Sequence, residues 1–213
     1  MDGIFNYLPK RNWDFEINNQ MATLFDKIKS SLAKEGLTPR TDAAREWLRN
    51  KIKTLRRPSP TLMMRDRQRL RERSFIGRMY FYFYDPKNKD KLSYYDKFPL
   101  VIPIERYPDG FLGLNLHYIH PKYRITLLDK LANLTTNDRF DEKTKLRISY
   151  EYLSAASQIF EATPCIKRYL FKHIESRFLE ITADEWDIAA LLPAENFIGE
   201  TTSQIFLNSR KKF

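Results

Sequence analysis

Five arginines fall within nine positions in RDRQRLRER, residues 65–73, where Leu70 is the one apolar residue. A guanidinium pairs bidentately with phosphate, so a cluster of this kind carries the chemistry of polyanion binding. The cluster extends upstream. Residues 45–78 hold twelve Lys or Arg against three acids, a net +9, while the rest of the chain carries 25 bases and 24 acids. Nearly all of the formal +10 charge therefore sits in one 34-residue segment. A localised field of that sign attracts nucleic acid or an acidic protein surface. Arg56, Arg57, Arg65, Arg67, Arg69, Arg71, Arg73 and Arg78 are the candidate phosphate contacts. No base-reading module accompanies them, which predicts binding directed by shape or by a DNA end rather than by sequence.

Other residues have types suited to chemistry. Tyr80, Tyr82 and Tyr84 alternate on one side of a strand and could stack unpaired bases. The simpler expectation is that the N-terminal helices cover them. His117 and His120 form a metal-like pair by spacing, but a strand places them on opposite sides, so no metal site is expected. A metal-dependent nuclease needs an acid on one strand and an acid and a lysine two apart on the next. Asp109 meets the first requirement, but residues 111–119 contain neither acid nor lysine, and Glu105 is followed by Arg106. There is no Gly-rich phosphate loop, nucleophile elbow or HExxH. The expectation is a protein that is not an enzyme and uses no cofactor. The single cysteine, Cys165, excludes an internal disulfide and points to a reducing place of synthesis. No apolar run reaches the roughly 20 residues of a membrane span, and residues 1–16 do not read as a secretory signal.

The elements that must present these arginines follow from periodicity. Residues 1–17 show no period and read as an arm that orders on a partner or on the fold. Met21, Leu24, Phe25, Ile28 and Leu32 form one helical stripe over 18–35, and Gly36 ends it. Thr41 or Asp42 caps a second helix with Ala44, Trp47, Leu48, Ile52 and Leu55 inward, while Arg45, Arg49, Lys51 and Lys53 are expected mostly to face away. Ser59-Pro60 then predicts a third helix to about 75, stopping at Gly77. Its arginines would spray over most of its circumference, so it is expected to be mobile until a partner neutralises it.

At 78 the texture changes. MYFYFY, residues 79–84, alternates as a strand. Residues 98–107 form a second strand, with Pro99 and Pro103 marking an edge or a bulge. PDG at 108–110 is a turn in which Gly110 is expected at positive φ, and 111–119 return as a third strand. Helices are expected at about 122–134, at 142–162 and from Thr163-Pro164 to Lys172. Residues 176–181 alternate as a strand, and Thr182 with Glu185 caps a last short helix before Pro193. The tail, ending SRKKF, reads as mobile. The predicted class is α+β: a small twisted antiparallel sheet of at least four strands, or a partly closed SH3-like barrel. Helices are inserted in it and a basic helical extension stands in front. The expected division is arm and extension 1–77, core 78–193 and tail 194–213.

The stretch 76–121 resembles one in the DNA-end protector, or head-completion, virion proteins of T4-like tailed phages. The aromatic strand 79–84, Tyr94-Tyr95-Asp96, Phe98-Pro99-Leu100, Asp109-Gly110-Phe111 and Leu112-Gly113-Leu114-Asn115 carry the resemblance. It implies a virion protein, made in the host cytoplasm, that holds or shields the end of packaged double-stranded DNA. Its partners would be that DNA and portal, neck or other virion proteins, with no membrane. Two alternatives stay open. One is a head–tail connector adaptor whose basic run meets acidic protein and not DNA. The other is a cytosolic nucleic-acid-binding regulator.

Overall fold

The structure, a computed structural model, describes residues 22–135 and 165–210. The arm 1–17, Met21, the helix expected at 142–162 and the Thr163-Pro164 helix start lie outside them. The first helix, α1 (Leu24–Lys34), opens with a reciprocal capping box between Thr23 and Asp26. It ends where Gly36 takes φ +67°, with the Leu37 N–H donating to the Leu32 carbonyl at 3.2 Å. Thr41 caps α2 (Asp42–Thr54) through a bond from the Ala44 N–H. Phe25, Ile28 and Leu32 of α1 and Ala44, Leu48 and Ile52 of α2 are buried, the stripes their spacing predicts.

The third helix is a correction. Only α3 (Pro60–Met63) forms. A 3-10 turn at Arg67–Arg69 follows, and Leu70–Arg71 is the strand β1. Arginines two apart suit an extended edge better than a helix, because Leu70 faces the apolar core while Arg71 faces out. The other strands of the main sheet are β2 (Met79–Phe81), β4 (Leu100–Tyr107), β5 (Gly110–Asn115), β6 (Ile166–Leu170) and β7 (Phe178–Ile181). Their order is β1-β7-β2-β4-β5-β6, antiparallel throughout. A second sheet pairs β3 (Tyr95–Asp96) with β8 (Phe197–Ile198). The helices α4 (Pro121–Thr135), α5 (Trp186–Leu191) and α6 (Thr202–Arg210) complete the described elements. No helix among the described residues is long and apolar enough to cross a membrane.

Both faces of the main sheet are buried. Met79, Phe81, Leu100, Ile102, Leu114, Leu179 and Ile181 share one apolar cluster with α1, α2, α4 and α5. Tyr80, Tyr82, Tyr84, Val101, Phe111, Tyr169 and Phe178 form a second cluster on the other face. The tyrosine side is thus buried, but the N-terminal helices lie opposite and do not cover it. The sheet covers it by curling. Three strand spacings in a flat sheet amount to roughly 14 Å, and three separate β5 from β7. Yet the Phe111 and Phe178 rings are 6.3 Å apart, and Tyr82 packs 5.6 Å from Tyr169 and 5.1 Å from Phe178. The antiparallel sheet is as predicted. The sheet keeps two edges, β1 and β6, and among the described residues no barrel closes.

Pro103, which has no N–H to give, sits at the bulge between Pro103 and Glu105 in β4. Gly110 is not at positive φ. It is required by close approach, since a Cβ there would lie 1.9 Å from the Tyr169 carbonyl oxygen. The strand expected over 111–119 ends at Asn115, in a 3-10 turn at Leu116–Tyr118. The helix expected through Lys172 is instead β6 and a 3-10 turn at Phe171–His173, because Tyr169 belongs in the aromatic cluster and the backbone completes the edge of the sheet. Residues 194–210 are built into the fold rather than loose. Within them β8 pairs with β3 and Ile205 of α6 is fully buried.

The boundary expected at 77/78 runs through one sheet and one apolar core. A chain beginning at residue 78 would lose Phe25, Ile28, Leu32, Leu48 and Ile52, each contributing about 1.5–3 kcal/mol on burial. Their sum reaches the whole stability of an ordinary domain, about 5–15 kcal/mol. Residues 78–193 alone are therefore expected to unfold broadly in a thermal melt, while the full chain melts cooperatively. A sharp transition in the fragment would contradict this.

Candidate nucleic-acid interface

The bases of the segment 45–78 divide by what they meet. Arg45 does not face away from α2 as expected. It is buried on the inner side, its Nε donating to Asp187 of α5 at 2.8 Å and its Nη1 to Asp129 of α4 at 2.9 Å. A further bond from Nη2 makes the Asp129 contact bidentate. Arg69 is the second such residue. Its guanidinium bonds Glu185, and it also meets Asp26 of α1 at 3.0 Å and Asp66 at 2.7 Å. Burial works against the charge of both arginines, but these carboxylates more than compensate and raise their proton affinity.

Glu185 is the centre of the second group. Its side chain is fully buried. It closes the capping box of residues 182–185 and also receives Arg69 and Lys29, the latter at 3.3 Å. Lys29 reaches Asp184 as well, at 2.5 Å. A buried carboxylate without such partners would be strongly destabilising. The sequence identified Glu185 as a cap and not as the partner of an arginine 116 positions away, because no local pattern carries that pairing.

Arg71 and Arg78 form an intermediate class. Both reach one carboxylate, Glu180 of β7, at 2.8 and 2.6 Å, and both stay largely exposed. Two guanidiniums on one acid leave a net positive charge. The remaining bases, Arg49, Lys51, Lys53, Arg56, Arg57, Arg65, Arg67 and Arg73, are exposed and make no ion pair with any described residue. Of the eight candidate phosphate contacts, then, Arg56, Arg57, Arg65, Arg67 and Arg73 are exposed and without an acid among the described residues, Arg71 and Arg78 are held by Glu180, and Arg69 is structural.

The other groups singled out from sequence have structural partners. His117 is fully buried, with Nδ1 2.7 Å from Asp96, while His120 packs between Tyr123 and Phe206. Asp96 also accepts from the Phe98 and Asn196 N–H groups at 3.1 and 3.2 Å, tying the second sheet to the core. Asp109 pairs with Arg168 across the β5–β6 edge. The fully buried Arg124 donates to Glu195 at 2.5 Å and to the Ile119 and Ala190 carbonyls. Burial works against the Glu195 carboxylate, but Arg124 holds it below the ordinary range. Cys165 is buried, which pushes its thiol up to about 12.

Residues 7–210, nearly the whole chain, match the family described as Phage T4 terminal DNA protecting protein. The chain belongs to this family. The match takes in the basic segment, both faces of the sheet and the C-terminal elements together. The resemblance read over 76–121 therefore extends through the flanking regions of this family member. No curated protein and no solved structure is significantly similar to it.

The division of the arginines has a measurable consequence. Arg69→Gln leaves Glu185 buried with a weakened partner set and is expected to cost about 3 kcal/mol, lowering the melting temperature by roughly 6–12 °C. Arg67→Gln, two positions away and exposed, is expected to stay within about 0.5 kcal/mol of the parent. Equal effects of the two substitutions would contradict the assignment.

Proposed function

We propose that this family member protects phage DNA by binding the end of packaged double-stranded DNA through the exposed bases of its 45–78 segment. The observation that carries the reading is the set of exposed arginines with no acid partner among the described residues, Arg56, Arg57, Arg65, Arg67 and Arg73, on a chain of the terminal DNA protecting family. Arg71 and Arg78 add to it from the edge of the sheet. Binding is by charge and not by base identity, since no base-reading motif accompanies the arginines in the sequence. The protein acts by occupying the end and performs no reaction. In support, the buried acids Asp96, Glu185 and Glu195 already serve structural cations or amides. Its place is the virion, in the head, portal and neck region, where the packaged end lies, with acidic surfaces of neighbouring proteins as further contacts.

Binding of the full chain to a short duplex at several salt concentrations tests the reading. With about five phosphates neutralised, log affinity is expected to fall against log salt with a slope of roughly −5. Replacing Arg56, Arg57, Arg65, Arg67 and Arg73 by Gln is expected to remove most of that slope and leave the melting temperature within a few degrees. Absence of duplex binding at low salt would overturn the reading in favour of an adaptor that docks on acidic protein.

A further inference from the structure

Phe75 is 55% exposed and stands between Arg73 and Arg78 in the loop joining β1 to β2. A side chain this apolar is more often turned inward. Here the backbone holds it out. The Phe75 N–H donates to the hydroxyl of buried Tyr80 at 3.1 Å. The preceding Ser74 is buried, and its carbonyl accepts from Arg106 at 3.4 Å. Gly77 takes φ +78°, which a side chain would resist, and its N–H donates to the Pro103 carbonyl at 2.9 Å. The loop is thus fixed on both sides of the ring.

The ring also has a cationic neighbour. The guanidinium carbon of Arg78 lies 5.3 Å from the ring centroid, within cation–π range, while its Nη1 is anchored on Glu180 at 2.6 Å. Glu180 holds Arg71 as well. One acid therefore orients two guanidiniums, one of them against an exposed aromatic ring, with the exposed Arg73 two residues from that ring.

A duplex interior offers phosphates but no base faces, because each base is stacked on its neighbours. An end differs in one respect: the outer face of the last base pair is bare. We propose that Phe75 stacks on that terminal base pair while Arg71, Arg73 and Arg78 contact the phosphates of the last nucleotides. This rests on the DNA-binding reading above and gives it a physical basis for choosing ends. The arginines supply attachment to any duplex, and the ring supplies the discrimination. Stacking a base on an aromatic side chain corresponds to roughly five- to 150-fold in affinity.

Competition binding with the full chain separates the two roles. A blunt linear duplex and the same duplex closed at both ends by hairpin loops compete against a labelled linear probe. The parent protein is expected to favour the open duplex at least fivefold. Phe75→Ala is expected to bind both competitors equally, with an unchanged salt slope and an unchanged melting temperature, and Phe75→Trp to restore the preference. Equal binding of both competitors by the parent, or a preference that survives Phe75→Ala, would overturn the inference while leaving general DNA binding intact. No binding to either duplex would overturn this inference and the DNA-binding reading together.

Discussion

The buried carboxylate of Glu185 organises the fold around the basic segment. Taking an ion of this size out of water costs several kcal/mol unless charged hydrogen-bond donors surround it. Here the donors come from separate parts of the chain: Lys29 from α1 and Arg69 from the turn before β1. The capping box places the acid, since residues 182–185 begin the turn leading into α5. Once Glu185 is fixed there, Arg69 must come to it, and Leu70 and Arg71 are laid against β7. Asp26 and Asp66 complete the shell around Arg69. Arg45 repeats the arrangement between α2, α4 and α5 with Asp129 and Asp187.

This constraint turns a charge run into a presented surface. A free segment of five arginines in nine residues would repel itself and place its cations at random. Pinning one of them in the interior and one strand on the sheet edge fixes where the others emerge. Arg65 and Arg67 precede the pin, and Arg71, Arg73 and Arg78 follow it. A backbone ordered before a ligand arrives loses less entropy on binding, so affinity gains from the folded scaffold. The same scaffold keeps an aromatic ring exposed beside those cations, because the Tyr80 hydroxyl and the Pro103 carbonyl hold the loop that carries it.

Much of this was legible in the sequence wherever the signal is local. The Thr41 start, the Gly36 stop, the alternation of 79–84, the Pro103 bulge and the Thr182–Glu185 box rest on residues within a few positions of one another. The misreadings have a different cause. Residues 60–75 carry a helix start, but tertiary pairing of Leu70 with Leu179 overrides it. Residues 166–170 read as helix because their aromatic partners, Tyr82 and Phe111, lie far away in the chain. The charge tally placed a cluster of mostly exposed bases in the 45–78 segment. It could not separate Arg45 and Arg69 from their neighbours, since the acids that bond them, Asp66 apart, are 43 to 142 positions distant.

Amide hydrogen exchange of the full chain, with and without a blunt duplex, tests most directly the claim that the basic run is a folded scaffold presenting free arginines. Slow exchange across 69–71 in the free protein, little altered by DNA, is the result this account requires, together with new protection at 72–78 when the duplex is added. Rapid exchange throughout 65–73 in the free protein, slowing only with DNA, would contradict it and make the run a disordered arm that folds on its ligand.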